Sequence, residues 1–525
     1  MRLAPSPIPS PLSTEPPETP PQLWTREVHL RTSILLLAIL TVGATLRFAL
    51  LGQHSLWSDE AFVAWAIRFG WKDIFSVLAA ADSHPPLYYV LIKAWAGLAG
   101  TGEAALRAPS AVLSTLSVLL TYLLMLRVAP EPASLLSALL VAVSPFDIMA
   151  GQEARMYPLL SALAVGSTLA LVMSVERESA LRWAAYVLLA TLMVYTHYLG
   201  ALVLLAHGAW VVGFARRSFV RWAASMAVAA ILYAPWGFAV AIRVADVAHI
   251  ERSAGGIVPY LAPDDLLALF AFGGSLFGTA TYFGAGRGSA PEHIFLLLPF
   301  LVILWRGAAA LSASPRSLGL IVLPPLVTLG IAAPIALAKP ILWPRAFSFL
   351  APFYAMVLAQ GIVDVAQIVG RQRARLPAAA LLLAGLLAPS IPVLHRYYFD
   401  PGSRPYQWRA AAAAVTREAR TGDYFLFVGR AAGDSFTYYF RQPYPSRTLV
   451  LRRDPRPTFT PATARQLASE YQRVWVILST PYGPTHPIVQ RQVLAALASA
   501  FRVAREGAFN RTWVYLLVPR DPRTR

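Results

Sequence analysis

Eleven apolar runs recur through the first 394 residues and restrict this chain to a fold of membrane helices. They lie at about 32–51, 106–127, 133–149, 157–174, 182–197, 199–215, 219–242, 292–306, 318–338, 346–365 and 376–394. A helix needs about 20 apolar residues to cross roughly 30 Å of hydrocarbon, and most of the runs approach that length. With 57% hydrophobic and 14% charged residues, the 525-residue chain exposes too little polar surface for a soluble globule. The first run, preceded by Arg26, His29 and Arg31, is longer than a signal-peptide core and lacks a small-residue cleavage site. It reads as an anchor that stays. Residues 1–25 are Pro-rich, without a periodic apolar face, and are expected to be a disordered tail. Leu87–Gly100 is too short to span and is placed in an interfacial layer. The run 262–285, broken by Gly273, Gly274 and Gly278, is expected to be re-entrant or a surface element.

Alternate loops of a spanning bundle lie on opposite sides. Loops with Arg177/Arg182, Arg216/Arg217/Arg221, Arg306/Arg316 and Arg371/Arg373/Arg375 share the side of the N-terminus, which the positive-inside rule makes cytoplasmic. The loop 52–86, the turns 151–157, 195–198 and 339–345, the loop 243–291 and the C-terminal part then face outward, to the periplasm or exterior of a bacterial inner membrane. The absence of cysteine excludes disulfides, Cys-ligated zinc and thiol nucleophiles. A formal charge of +18, carried mainly by arginines in short loops and in the C-terminal part, fits lipid phosphates and anionic headgroups better than nucleic acid.

One outward stretch is out of character. Ser55–Tyr89, SLWSDEAFVAWAIRFGWKDIFSVLAAADSHPPLYY, brings Asp59, Glu60 and His84 to the membrane boundary, where carboxylates cost free energy unless they have a partner or a function. Its Trp57, Trp65, Trp71, Tyr88 and Tyr89 give it the aromatic content of a segment at headgroup level. It reads as an interfacial loop of short helices carrying the active site. Residues 395–525 differ again: amphipathic helix patterns alternate with β-rich runs such as DYFLFV and VWVILST, the signature of a soluble α/β domain with a partly parallel sheet. Without a Gly-rich phosphate loop or a nucleophile elbow, this domain is expected to recognise substrate or act as a lid.

The segments SLWSDEA, SHPPLYYVLIKAW, EAALRAPSA, SPFDIMAGQEARMYPL and WPRAFSFLAPFYAMVLAQG together resemble the bacterial branch of the protein O-mannosyltransferase superfamily, family 39 type C glycosyltransferases akin to aminoarabinose and galacturonic acid transferases. The resemblance covers most of residues 30–365. It implies a type C glycosyltransferase fold with about 11 transmembrane helices in 26–394. It also implies transfer of a sugar, with inversion, from a polyprenyl-phosphate donor to a protein, lipid or cell-envelope glycan on the outer face, without an organic cofactor. The sugar is left open among mannose, a hexuronic acid and an amino-pentose.

On that resemblance Asp59 is the base that orients or deprotonates the acceptor hydroxyl. Glu60, about 100° away on the same helix, supports it in metal binding or orientation, unless both acids simply favour a helix N-terminus capped by Ser58. His84, fixed before Pro85–Pro86, either orders the loop, contacts substrate or ligates a divalent metal with Glu60, Glu153 or His197. Arg155 is read as a clamp on the donor phosphate and Glu153 as an acid near the sugar; a self-satisfying ion pair is the bland alternative. Arg345, with Lys339, runs against the positive-inside bias and marks an anion site, or snorkels to ordinary headgroups. Arg47, near the outer end of the first span, is treated the same way. Tyr157 packs in the aromatic belt or stacks on a sugar. A transporter or flippase of lipid-linked glycans, and a scaffold whose soluble tail binds peptidoglycan or protein, are the competing classes; both would tolerate Asp59→Asn. Against the transporter, the ionisable residues cluster at one surface and do not line the bilayer midplane.

Overall fold

The computed structural model describes residues 26–82, 84–244, 294–338, 344–369, 373–400, 406–449, 459–479 and 486–520. The expected tail 1–25, the element expected at 262–285 and Lys339 lie outside them.

Among the described residues each of the eleven apolar runs is helical. α1 (Arg26–Phe48) leads to three short helices, α2 (Ser58–Ala66), α3 (Ile74–Ala81) and α4 (Leu87–Ala99), which form the loop layer. Then come α5 (Glu103–Met125), α6 (Glu131–Val143), α7 (Pro145–Gly151), α8 (Tyr157–Glu176), α9 (Ala180–Thr196), α10 (Gly200–Phe214) and α11 (Phe219–Val244). Further along the chain follow α12 (Ile294–Leu311), α13 (Pro315–Ala338), a 3-10 turn (Pro344–Leu350), α14 (Ala351–Val369), α15 (Arg375–Leu387) and α16 (Ser390–Phe399). Among the described residues six helices are long and apolar enough to cross a membrane, and up to eight if the bent pairs α6–α7 and α15–α16 each count once. The remaining three runs, α9, α10 and part of α12, are apolar helices of 10–17 residues. Leu30, Leu37, Ile231 and Leu381, each more than half exposed, leave an apolar perimeter suited to lipid.

Breaks in these helices put polar groups at one end of the bundle. Ser144 ends α6 and caps α7, its Oγ accepting from the Asp147 amide at 3.3 Å, with Pro145 in the first turn; the axes bend by 57° there. α7 closes against α5 at Gly151, where a Cβ would lie 2.9 Å from that of Ser114, so only glycine permits the approach. The chain then turns through Gln152–Met156 into α8. Gln152 Nε2 donates to the Leu46, Arg47 and Ala49 carbonyls at 3.1, 3.2 and 2.8 Å, satisfying the open end of α1.

The C-terminal part adds α17 (Trp408–Thr416), β1 (Tyr424–Val428), α18 (Arg430–Tyr439), β2 (Ser446–Leu449), α19 (Pro461–Glu470), β3 (Val474–Ser479), α20 (His486–Ala498), β4 (Phe501–Phe509) and β5 (Thr512–Pro519). The sheet order is β2-β1-β3-β5-β4, with β1 parallel to β2 and β3, and β5 antiparallel to β3 and β4. The partly parallel sheet expected from the sequence is present. Alternation along β1 and β3 sends Leu426, Val428, Val476 and Leu478 into one core, and Phe425, Phe427, Trp475 and Ile477 into the other.

The second of those cores includes Trp57 of the loop layer, packed with Tyr406 and Trp408. Polar bonds fasten the same seam: Tyr439 Oη donates to Glu103 at 3.0 Å and accepts from the Leu56 amide at 2.7 Å, and Arg409 reaches the Gly52 carbonyl at 2.8 Å. The aromatic-belt reading of the loop therefore needs correcting. Trp57, Tyr88 and Tyr89 are buried in protein, and of the five aromatics named only Trp71, 53% exposed, stands in the open.

Candidate active site

Consecutive residues on α2 point apart, and the two carboxylates end in different surroundings. Glu60 is fully buried. Its Oε1 accepts from Arg107 Nε at 2.7 Å and from the Ala154 amide at 2.8 Å, while Oε2 accepts from Arg107 Nη2 at 2.6 Å and from the Trp57 amide at 3.4 Å. The first turn is thus closed by Glu60 and begins at Trp57, not by the Ser58 cap the sequence suggests. The rest of the Arg107 guanidinium donates to the carbonyls of Leu51 and His54, both at 2.9 Å, and of Ser55 at 3.2 Å. A bidentate buried pair of this kind staples the loop to α5 and to the 152–156 turn, and leaves Glu60 no open lone pair with which to meet a substrate or a metal. The catalytic and metal-ligand readings of Glu60 give way to a positioning one. Arg107→Ala is expected to cost about 3–5 kcal/mol, because it strands a buried carboxylate; an unchanged unfolding midpoint in detergent would contradict the staple.

Asp59 faces the other way. Its side chain is 31% exposed, and Oδ2 lies 2.8 Å from Arg345 Nη2 and 4.0 Å from Arg155 Nη2. Both guanidinium groups are buried, with side chains 4% exposed. Arg345 also donates through Nε to Tyr157 Oη at 3.3 Å and lies 4.2 Å over the Trp57 ring. Arg155 Nη1 reaches the Asp59 carbonyl at 3.4 Å, and its buried Nε finds no acceptor among the described residues. Two buried cations thus converge on one partly exposed carboxylate, and Arg155 is also within the field of the Asp82 carboxylate.

Glu153, two residues before Arg155 in the same turn, is buried. Burial pushes its carboxyl up to about 8, opposed by Arg345 and reinforced by Glu60 and Asp59, so it carries a proton at neutral pH. An acid whose folded value lies above its ordinary 4.5 favours folding fully at low pH, and that contribution is lost as pH rises toward 8. Glu153→Gln mimics the protonated form. Its unfolding midpoint should therefore exceed that of wild type by a margin that grows between pH 5 and pH 8 and then levels off; parallel profiles would contradict a neutral Glu153.

Two histidines lie close to Tyr157 and to each other. His197, at the end of α9, is buried, accepts the Leu199 amide at 3.1 Å through Nδ1, and lies 6.3 Å from the Tyr157 ring and 5.4 Å from that of His84. Burial, with His84 close by, holds His197 well below the usual histidine range, in the neutral form. His84 Nδ1 lies 3.0 Å from Asp82 Oδ1, and the other oxygen of Asp82 accepts from the Tyr89 hydroxyl. Burial alone would raise Asp82, but His84 and Tyr89 hold its carboxylate below the ordinary range.

Arg47 does not join this group. Nε donates to Ser114 Oγ at 2.7 Å, Nη1 to the Gly43 and Ala142 carbonyls at 3.0 and 2.7 Å, and Nη2 to the Val141 carbonyl at 2.9 Å. Its guanidinium ties α1 to α5 and α6, so the reading of Arg47 as a donor-phosphate ligand is corrected to a structural one. The metal set is not assembled either: Glu60 belongs to Arg107, and among the described residues no three His, Asp or Glu side chains are placed to hold an ion.

Asp59, Arg155, Arg345, Tyr157, Glu153, His84 and His197 are thus brought to one end of the bundle, while Arg107, Asp82 and Gln152 are additions the sequence reading lacked. Residues 83–241 match the family model for dolichyl-phosphate-mannose-protein mannosyltransferase. No curated protein matches the chain by sequence. Among solved structures, ArnT from Cupriavidus metallidurans in the apo state is similar at TM-score 0.57 and 14% identity, covering 93% of this chain and 98% of that one. The same protein bound to undecaprenyl phosphate gives TM-score 0.56 and 13% identity, covering 92% and 97%. The oligosaccharyltransferase of Archaeoglobus fulgidus in the apo form gives TM-score 0.56 and 14% identity, covering 88% of this chain and 70% of that one. The fold is that of the type C membrane glycosyltransferases, and the resemblance read from the sequence is borne out.

Proposed function

We propose that this chain transfers a sugar from a polyprenyl-phosphate donor to an acceptor hydroxyl at the outer face of a bacterial membrane, by a single inverting displacement. The observation that carries the reading is the triplet of Asp59, Arg345 and Arg155: one carboxylate accessible from solvent, backed by two buried guanidinium groups. In a single displacement the acceptor oxygen attacks the anomeric carbon as the bond to the lipid phosphate breaks. The first event needs a carboxylate on the acceptor side, the second fixed cations on the leaving-group side.

The same geometry links the two. Paired with Arg345 at 2.8 Å, the Asp59 carboxylate is already engaged by a donor. A phosphate dianion or diester arriving at Arg345 and Arg155 competes for those donors, supplies an acceptor for Arg155 Nε, and frees the Asp59 carboxylate for the acceptor. Donor binding thereby prepares the base. Tyr157 orients Arg345, and neutral Glu153 and His197 line the site without adding charge that would repel the phosphate. Two similar structures support a lipid-phosphate ligand: ArnT is bound to undecaprenyl phosphate, and the archaeal oligosaccharyltransferase AglB is in complex with an inhibitory peptide and a dolichol-phosphate.

Binding of undecaprenyl phosphate to the detergent-solubilised protein tests the cationic half independently of turnover. Replacing Arg155 and Arg345 together with Gln is expected to weaken it by roughly 10²–10⁴-fold, at 1.5–3 kcal/mol per charge-assisted contact; Arg47→Gln is expected to lower stability and leave the affinity of the folded fraction as it is. Equal affinity in the double variant would remove the assignment.

A further inference from the structure

Trp57 belongs to two parts of the molecule at once. Its buried ring packs with Tyr406 and Trp408 in a core of the C-terminal domain, and the guanidinium carbon of Arg345 lies 4.2 Å from the centroid of the same ring. The chain leading up to Trp57 is held from that domain as well. Arg409 donates through Nη2 to the Gly52 carbonyl at 2.8 Å and through its amide to Ser55 Oγ at 3.2 Å, and Tyr439 Oη accepts from the Leu56 amide at 2.7 Å. α18 packs against α2, the helix that Trp57 opens and that carries Asp59. From within the loop layer, Glu60 Oε2 accepts the Trp57 amide at 3.4 Å.

A buried guanidinium that is to grip a phosphate must be held without using up the N–H groups the phosphate needs. Arg345 directs Nη2 to Asp59 at 2.8 Å and Nε to Tyr157 at 3.3 Å. An aromatic face attracts the cation through its π-electrons and occupies none of the donors in the guanidinium plane. We propose that Trp57 is a positioning residue for Arg345, and that through it the docking of the C-terminal domain sets the affinity for the lipid phosphate. The inference rests on the donor-phosphate reading of Arg345 and gives the C-terminal domain a share in holding the donor. A ring that only filled space would matter to stability alone. One that fixes Arg345 matters to binding, and only while Arg345 is present.

Binding of undecaprenyl phosphate to the full-length protein in detergent, measured on the folded fraction, is compared for Trp57→Leu and Trp57→Phe, each in the wild-type and the Arg345→Gln background. Trp57→Leu in the wild-type background is expected to weaken binding by roughly 5–30-fold, the range of a desolvated cation–π contact, and Trp57→Phe, which keeps a ring, by less. In the Arg345→Gln background neither is expected to weaken it further. Tyr439→Phe, which keeps the ring and removes the Oη bonds to Leu56 and Glu103, is expected to weaken binding by about two- to fivefold through the seam. Wild-type affinity in Trp57→Leu, or the same loss with and without Arg345, overturns the positioning role; wild-type affinity in Tyr439→Phe overturns the share of the domain. Should Trp57→Leu not fold, Trp57→Phe must weaken binding in the wild-type background alone for the proposal to stand. Wild-type affinity in Arg345→Gln defeats the donor reading instead, and the link between Trp57 and Arg345 is then read from unfolding midpoints, whose shifts must be non-additive across the pair.

Discussion

Asp59→Asn is expected to lower sugar transfer by about 10²–10⁴-fold, the range supplied by a positioned general base, with the protein still folded. The substitution keeps shape and retains an oxygen that can accept from Arg345, whose Nη2 lies 2.8 Å from the carboxylate. It removes only the capacity to take a proton or to orient the acceptor through full negative charge. With the carboxylate 31% exposed, the ion pair it forfeits is partly screened, so the unfolding midpoint should move little. Undecaprenyl phosphate should bind at least as well as to wild type, because the variant no longer offers Arg345 and Arg155 a competing anion. Loss of turnover with retained or improved donor affinity is a combination that general destabilisation does not produce.

Arg345→Ala should act on the other half of the reaction. Removing one charge-assisted contact to the departing phosphate is expected to raise the donor KM by roughly 10–10²-fold, and to lower kcat as well because negative charge on the leaving oxygen grows toward the transition state. Arg345→Lys should recover only part of either loss. The guanidinium makes contacts in three directions, to Asp59, to Tyr157 and over the Trp57 ring, and a point charge on a flexible stem reproduces at most one. Trp57 also sits in the core of the C-terminal domain, so the position of Arg345 depends on the docking of that domain on the loop layer. A donor KM within twofold of wild type in Arg345→Ala would show that the phosphate is held elsewhere.

What the sequence disclosed, and what it withheld, follows the range over which each interaction acts. Runs of apolar residues are local, and among the described residues all eleven are helical; the bend at Ser144–Pro145, which divides the run read at 133–149 into two helices, was not read. The alternation of strands and amphipathic helices after residue 400 was equally legible. Asp59, Arg155 and Arg345 stood out because charge at a helix end near lipid is costly without a partner. Which partner each charge takes is a tertiary matter. Arg47 and Arg345 both sit near span ends, and in sequence the two look alike; only the fold shows Arg47 consumed by Ser114 and three carbonyls, and Arg345 turned to Asp59. Glu60 was misread for the same reason, its partner lying 47 residues away. A signal for that partner did exist: Arg107 is a charge within an apolar run, and such a residue needs a buried anion. Asp82, two residues before His84, was passed over because its partners are set by the Pro85–Pro86 turn that brings Tyr89 back toward it.

The most direct test of the central claim is consumption of a panel of radiolabelled polyprenyl-phosphate sugars by the purified protein with an envelope fraction as acceptor, wild type beside Asp59→Asn. The account predicts that wild type releases polyprenyl phosphate from one donor of the panel and passes its sugar to acceptor, and that Asp59→Asn, equally folded, does neither. Consumption of no donor by wild type, or equal consumption by the variant, would contradict it.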